Sequence, residues 1–200
     1  MADGSDRPHG GFIVRALDRA HVTPNAITLF GFVGVCVSGG LIIAEQWVPA
    51  ALVFIAFGLF DPLDGHLARY QGTVSTFGAF LDSFLDRASE AVIFGAVAVT
   101  FARDGNELGV VACFGAMAGS FLVSYARARA EGLGVSGGSG GLMGRPERLV
   151  LLGGGLFLGG VGSVLEVTVG VIAVLALLTA VERVLIVRRG APPPSTAGGG

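Results

Sequence analysis

The sequence predicts an all-α integral membrane protein: six transmembrane helices preceded by a short interfacial amphipathic helix. Three observations carry that expectation. Of 200 residues, 52% are hydrophobic and only 14% are charged, where a soluble domain carries about 25% charged residues. The apolar residues fall in runs long enough to cross a hydrocarbon core of about 30 Å. The thirteen basic residues, all arginine, gather mainly on one side of a six-helix arrangement. A net charge of −2 gives a nucleic-acid partner nothing to bind.

Residues 1–11 are polar and read as a disordered N-terminus, without the pattern of a secretory signal. Residues 190–200, rich in Pro and Gly, read as a disordered tail. Between them, residues 12–189 form one membrane domain. Phe12, Ile13, Ala16, Leu17 and Ala20 recur at helical spacing opposite Arg15, Asp18 and Arg19. That pattern suits an amphipathic helix over 12–22, lying in the membrane interface. Thr23-Pro24-Asn25 supplies a cap and a first-turn proline for the next helix. The six spans are expected at 25–45, 48–70, 74–102, 106–131, 147–164 and 165–188. Only Gly159, Gly160 and Gly162 punctuate the last two. The 34 glycines include Gly115/Gly119 and Gly155/Gly159, small residues four apart that let helix backbones approach. Cys36 and Cys113 lie in apolar runs and read as packing residues.

Orientation follows from the arginines. Arg7, Arg15, Arg19, Arg69, Arg127, Arg129, Arg145, Arg148, Arg183, Arg188 and Arg189 fall on one side, Arg103 on the other, and Arg87 within a span. The positive-inside bias puts both termini and the glycine-rich 132–146 loop in the cytoplasm of a multi-pass cell-membrane protein. That loop suits a lid and a linker equally.

The chemistry is concentrated in Asp61-Pro-Leu-Asp64-Gly65-His-Leu-Ala68-Arg69 and Gly78-Ala-Phe-Leu-Asp82-Ser-Phe-Leu-Asp86. Spacings of three and four put each aspartate pair on one face of its helix. An ionised aspartate within a span costs at least ~2.5–3.5 kcal/mol, and four together repel. Arg69 and Arg87 cannot neutralise four carboxylates, and Arg87 has Glu90 one turn away. Two Mg²⁺ or Mn²⁺ ions, which prefer carboxylate oxygen, would hold them. Gly65, Ala68 and Gly78 remove side chains beside the cluster and leave room for a bulky phosphorylated ligand, with Arg69 placed for a phosphate oxygen. His66 adjoins the motif without belonging to it, and His9 and His21 read as surface residues.

These residues resemble the signature of the CDP-alcohol phosphotransferase family, D-x-x-D-G-x-x-A-R, eight residues, then G-x-x-x-D-x-x-x-D. Asp61, Asp64, Gly65, Ala68, Arg69, Gly78, Asp82 and Asp86 meet every fixed position. The resemblance covers 12–189 and implies transfer of a phosphate-linked alcohol from a CDP-alcohol to an acceptor hydroxyl, releasing CMP. It also implies that Asp61, Asp64 and Asp82 hold the metals. Asp86 would assist them and take the acceptor's proton, and Gly65, Ala68, Arg69 and Gly78 would line the CMP moiety.

A second pattern concerns the acceptor. Tyr125-Ala-Arg127-Ala-Arg129-Ala-Glu131 and Arg145-Pro-Glu-Arg148 look like the phosphatidylinositol phosphate synthase branch and its archaetidylinositol counterparts. Gly144 stands where that branch has a glutamate. The likeness implies that Arg127, Arg148 and Arg183 bind the phosphate of inositol phosphate. Anchoring at anionic headgroups is the competing use of such arginines. The expected donor is CDP-diacylglycerol or CDP-archaeol, the surrounding membrane lipids are a further partner, and a homodimer is expected. Glycerol-3-phosphate is the rival phosphorylated acceptor. Other classes are an intramembrane prenyltransferase and a cation transporter with an aspartate-lined path.

Overall fold

Chain chemistry sets each helix boundary in the computed structural model, which describes residues 11–135 and 140–190. All regular structure among these is helical: α1 (Phe12–Arg19), α2 (Pro24–Ile43), α3 (Trp47–Phe60), α4 (Pro62–Gln71), α5 (Thr76–Arg103), α6 (Glu107–Gly132), α7 (Arg145–Phe157) and α8 (Val164–Gly190). The ends expected to be disordered, with His9, lie outside the described residues but for Gly11 and Gly190, as does 136–139 of the glycine-rich loop.

Hydroxyl and amide side chains cap the starts of three helices. Thr23 Oγ1 accepts from Ala26 N at 3.3 Å, Ser75 Oγ from Gly78 N at 3.0 Å and Asn106 Oδ1 from Gly109 N at 2.8 Å, each satisfying a donor that no helical carbonyl reaches. Pro24 occupies the first turn of α2 as its fixed φ favours. Gly72, at φ 67°, takes the left-handed conformation that closes α4.

Three boundaries differ from the sequence expectation. The single helix over 48–70 is interrupted at Asp61, because Pro62 has no N–H to give Gly58 and its ring crowds that carbonyl. Asp61 keeps a right-handed helical conformation (φ −50°, ψ −45°), so the chain continues in nearly the same direction. The fifth expected span, α7, ends at Phe157 rather than residue 164, and residues 158–163 form an irregular connection before α8. Trp47 explains its glycines: a Cβ at Gly159 would stand 2.8 Å from Trp47 Cε3, and one at Gly160 3.3 Å from Trp47 Cδ1. The amphipathic helix stops at Arg19 rather than residue 22, followed by His21 at φ 54°.

Packing puts α2 against α3, α4 and α5, α6 against α5 and α8, and α7 against α3 and α8. Ile42, Phe54, Ile93, Phe94, Val97, Cys113, Leu156, Val169 and Ile172 fill the core between them. Gly119 permits a close helix approach, since a Cβ there would lie 2.8 Å from Ala176 Cβ and 3.0 Å from Leu177 N. Gly115 meets Ala173 in the same seam, so this small-residue pair packs as its spacing predicts.

Outside the core the surface is apolar, with Phe30, Val33, Leu108, Val111, Val167, Val174 and Val181 all more than half exposed. A water-facing surface does not carry such a belt. Four helical stretches among the described residues are long and apolar enough to cross a membrane: Pro24–Ile43, Trp47–Gln71, Glu107–Gly132 and Val164–Gly190. The 28-residue α5 is long enough but carries Asp82, Asp86, Arg87 and Glu90. The 13 residues of α7 rise only about 20 Å.

Contacts at the two ends show how the bundle is gathered. Gln71 Nε2 donates to Asp18 Oδ1 and Val22 O, tying α1 to the end of α4. Arg145, at the start of α7, reaches Asp61 and Asp86 at this same end. At the other end Arg103 Nη1 donates to Ile43 O and Asn106 Nδ2 to Glu166 Oε2. All four aspartates of the motif therefore lie toward the first end.

Candidate active site

The break at Pro62 places Asp61 where the chain passes from α3 into α4, opposite the first half of α5. Asp61, Asp82 and Asp86 each present a carboxylate oxygen within 4.8 Å of the others. Asp64 stands apart from this trio. Its Oδ2 accepts from Thr28 Oγ1 at 2.6 Å, which fastens it to α2, and its Oδ1 accepts from Gly65 N. Three of the four expected ligands thus converge, and the fourth faces the adjoining cavity.

The cation that grips two of these carboxylates is Arg145. Its Nη1 lies 2.6 Å from Asp61 Oδ2 and its Nη2 2.5 Å from Asp86 Oδ1. An arginine in the first turn of a helix opposes the helix dipole, and these two aspartates compensate it. Arg87 stands further off, its Nη1 3.8 Å from Asp86 Oδ2, and two guanidiniums among three carboxylates still leave negative charge uncompensated. Carboxylate oxygens gathered at this spacing suit a hard divalent cation.

The expected Arg87–Glu90 pair does not form. Residues 82, 86 and 90 share one face of α5, whereas Arg87 turns toward α6 and donates to Ser124 Oγ at 2.8 Å and to Ser83 O. Glu90 instead accepts from Arg148 of α7.

Two cavities meet at the aspartates. One, of about 430 Å³, is lined by Asn25, Thr28, Asp64, Gly65, Ala68, Arg69, Gly78 and Asp82. All four residues expected beside a nucleotide are in its wall. A Cβ on Gly78 would come within 3.0 Å of Ser75 Oγ and 3.3 Å of Asn25 Oδ1, so a larger residue there would crowd the wall. His66 is exposed and belongs to neither cavity.

The other cavity, of about 840 Å³, is lined by Asp82, Asp86, Ser124, Tyr125, Arg127, Arg145, Arg148 and Arg183. The three arginines predicted for the acceptor are brought together here from α6, α7 and α8. Arg148 and Arg183 are buried, only 4% and 7% exposed. Arg183 donates to Val123 O and Gly140 O. Arg127 is exposed and pairs with Glu131 at 2.9 Å. Asp82 lines both cavities.

Residues 21–188 match the CDP-alcohol phosphatidyltransferase family. The chain belongs to that family. It is therefore a transferase and a membrane protein, and the transporter and prenyltransferase readings fall away. It is 36% identical to the phosphatidylinositol phosphate synthase of Streptomyces avermitilis, over 91% of this chain and 77% of that protein. It is 31% identical to the archaetidylinositol phosphate synthase of Pyrococcus horikoshii, over 86% and 87%. The crystal structure of the Mycobacterium tuberculosis phosphatidylinositol phosphate synthase with CDP-DAG bound superposes with a TM-score of 0.84 at 30% identity, covering 94% of this chain and 96% of that one. The same enzyme in complex with manganese and citrate gives a TM-score of 0.82 at 31% identity, covering 94% and 92%.

The sequence reading did not find Thr28, Asn25 or Glu90 as site residues. Thr28 sits in an apolar run, 36 positions from the aspartate it holds, and gives no local signal. Arg145 did carry one: a cation placed at a helix start needs an acidic partner elsewhere.

Proposed function

We propose that this transferase moves a phosphatidyl group from CDP-diacylglycerol to inositol phosphate, releasing CMP and forming phosphatidylinositol phosphate. The observation that carries this reading is that the carboxylate cluster lies where two cavities meet. Motif glycines and an arginine line one; three arginines from separate helices line the other. The activities named for the relatives support the choice of donor and acceptor.

In this reading Gly65, Ala68 and Gly78 leave space for the CMP moiety, and Arg69 donates to its phosphate. Arg127, Arg148 and Arg183 hold the acceptor's phosphate and so present its hydroxyl toward Asp86. The hydroxyl oxygen attacks the phosphatidyl phosphorus as the bond to the CMP oxygen breaks, and Asp86 takes the proton. Thr28 orients Asp64. Two Mg²⁺ or Mn²⁺ ions, held by Asp61, Asp64, Asp82 and Asp86, supply the positive charge that a diphosphate needs in a low-dielectric site. The test is CMP release by purified protein from CDP-diacylglycerol, offered inositol phosphate, inositol, glycerol-3-phosphate or serine. Inositol phosphate is expected to be used fastest; a preference for glycerol-3-phosphate would retain the phosphate pocket and replace the acceptor.

The fold reading is a six-span domain over 12–189, with α5 and α7 completing the set and α1 lying in the interface. Arginine distribution supports cytoplasmic termini and a cytoplasmic site. A cysteine at Leu142 is then expected to react with impermeant reagents only from the cytoplasmic side, and one at Asn106 only from outside; reversed labelling would overturn the orientation. We read the protein as a homodimer, since its apolar flank suits a second copy as well as lipid. A monomeric mass for active protein in mild detergent would reject this.

A further inference from the structure

Glu90 lies one turn beyond Asp86 on the same face of α5, outside both the aspartate motif and the arginine pattern. Its Oε1 accepts from Arg148 Nε at 3.1 Å and from Arg148 Nη2 at 2.6 Å. Both side chains are withdrawn from solvent, at 15% and 4% exposure. Oε2 is buried without a hydrogen-bond partner among the described residues. It belongs to a side chain that lines a cavity of only about 60 Å³, with Phe32, Phe54, Leu85 and Ile93 among its apolar walls.

That environment fixes the carboxylate. Thr28, Ser89 and Arg145 also line that cavity, but the donor that reaches the carboxylate is Arg148, through two nitrogens. Arg148 is fixed in turn. Two of its three nitrogens are committed to Glu90, leaving Nη1, 3.4 Å from Met143 O, as the least committed. The guanidinium nevertheless lines the larger cavity alongside Arg127 and Arg183. Without this partner the buried charge of Arg148 would be left with the single carbonyl of Met143.

We propose that Glu90 is a positioning residue for the acceptor. It holds the Arg148 guanidinium at the wall of the larger cavity, and thereby sets how tightly a phosphorylated alcohol is bound there. This rests on the assignment of Arg148 to acceptor phosphate made above. It adds a residue that touches neither substrate and acts only through Arg148.

The experiment compares wild type, Glu90→Ala, Glu90→Gln, Arg148→Ala and the double Glu90→Ala/Arg148→Ala variant as purified protein. Initial rates of CMP release are measured while inositol phosphate and CDP-diacylglycerol are varied separately. Loss of a hydrogen bond to a charged group predicts that Glu90→Ala raises the apparent KM for inositol phosphate about tenfold or more. The KM for CDP-diacylglycerol is expected to stay within about twofold of wild type, as for residues with no shared partner. Glu90→Gln, which keeps an oxygen acceptor for Nε and Nη2, should restore most of the acceptor affinity. The double variant should be no worse than Arg148→Ala alone.

An unchanged acceptor KM in Glu90→Ala, an equal rise in both KM values, or additive losses in the double variant would each overturn the proposal. Should Glu90→Ala fail to fold, Glu90→Asp carries the same measurement, with the carboxylate drawn back by one methylene; there too an unchanged acceptor KM overturns the proposal. Arg148→Ala separates the two levels. If it leaves the acceptor KM unchanged, the phosphate pocket itself fails, and this inference with it. If it shifts that KM while Glu90→Ala does not, only the role of Glu90 is lost.

Discussion

Asp82→Asn is expected to reduce CMP release by on the order of a thousandfold or more, an effect of the size seen when a charge-stabilising group is lost from a reacting centre. Asp82 is the residue for which this expectation is strongest, because it lines both cavities and belongs to the carboxylate trio. Two unit charges 4.8 Å apart repel by about 3.5 kcal/mol at an effective dielectric of about 20. Three carboxylates within that distance are tolerable only with cations among them, and Arg145 with the more distant Arg87 supplies two, before a diphosphate adds negative charge of its own. An excess of chelator should therefore abolish turnover in the wild type, with recovery on adding Mg²⁺ or Mn²⁺. Full turnover in chelator would remove the metal from the reading. Asp86→Asn makes a sharper test of the proton acceptor. It should stop turnover while sparing more of the CDP-diacylglycerol binding than Asp82→Asn does, and wild-type rates in that variant would eliminate Asp86 as base.

Local chemistry was legible from the sequence; of the through-space chemistry, only the groupings that the family motifs name, the aspartates and Arg127, Arg148 and Arg183, could be anticipated. The Thr23 cap and Pro24 at the start of α2, the small-residue seam at Gly115 and Gly119, and the open space beside Gly65, Ala68, Arg69 and Gly78 all follow from spacing. Each depends on residues close in sequence, within one helix or across one short connection. The interruption at Asp61 was also written there, in Pro62, but apolar periodicity on both sides conceals it. Arg87 shows where spacing alone misleads. Glu90 is three residues away and within reach, yet the helix turns Arg87 toward Ser124 of α6 and leaves Glu90 for Arg148 of α7. That exchange depends on which helix packs on which face. The same holds for Thr28 and Asp64, joined across 36 residues. Charge offered a partial substitute for packing information: Arg145 opposes the dipole of its own helix, and such a conflict signals a distant anionic partner.

Arg148→Ala should raise the apparent KM for inositol phosphate about ten- to a hundredfold, from the roughly 1.5–3 kcal/mol lost with a hydrogen bond to a charged group. The KM for CDP-diacylglycerol should change little, because Arg148 lines the larger cavity and not the one proposed for the nucleotide. Arg183→Ala should act in the same direction, with an added loss of stability, since its guanidinium also holds Val123 O and Gly140 O. Arg127→Ala should cost less than either. Its side chain is exposed and paired with Glu131, and solvent screens such a cation. This ranking separates an acceptor pocket from headgroup anchoring. Anchoring would make exposed Arg127 matter as much as the buried pair, and would lower expression while leaving KM values unchanged in the protein that survives. The wild type should prefer inositol phosphate to free inositol by a comparable or larger factor, because a neutral alcohol leaves the arginines facing no anion. Equal use of inositol, or a preference for serine, would reject the phosphate pocket.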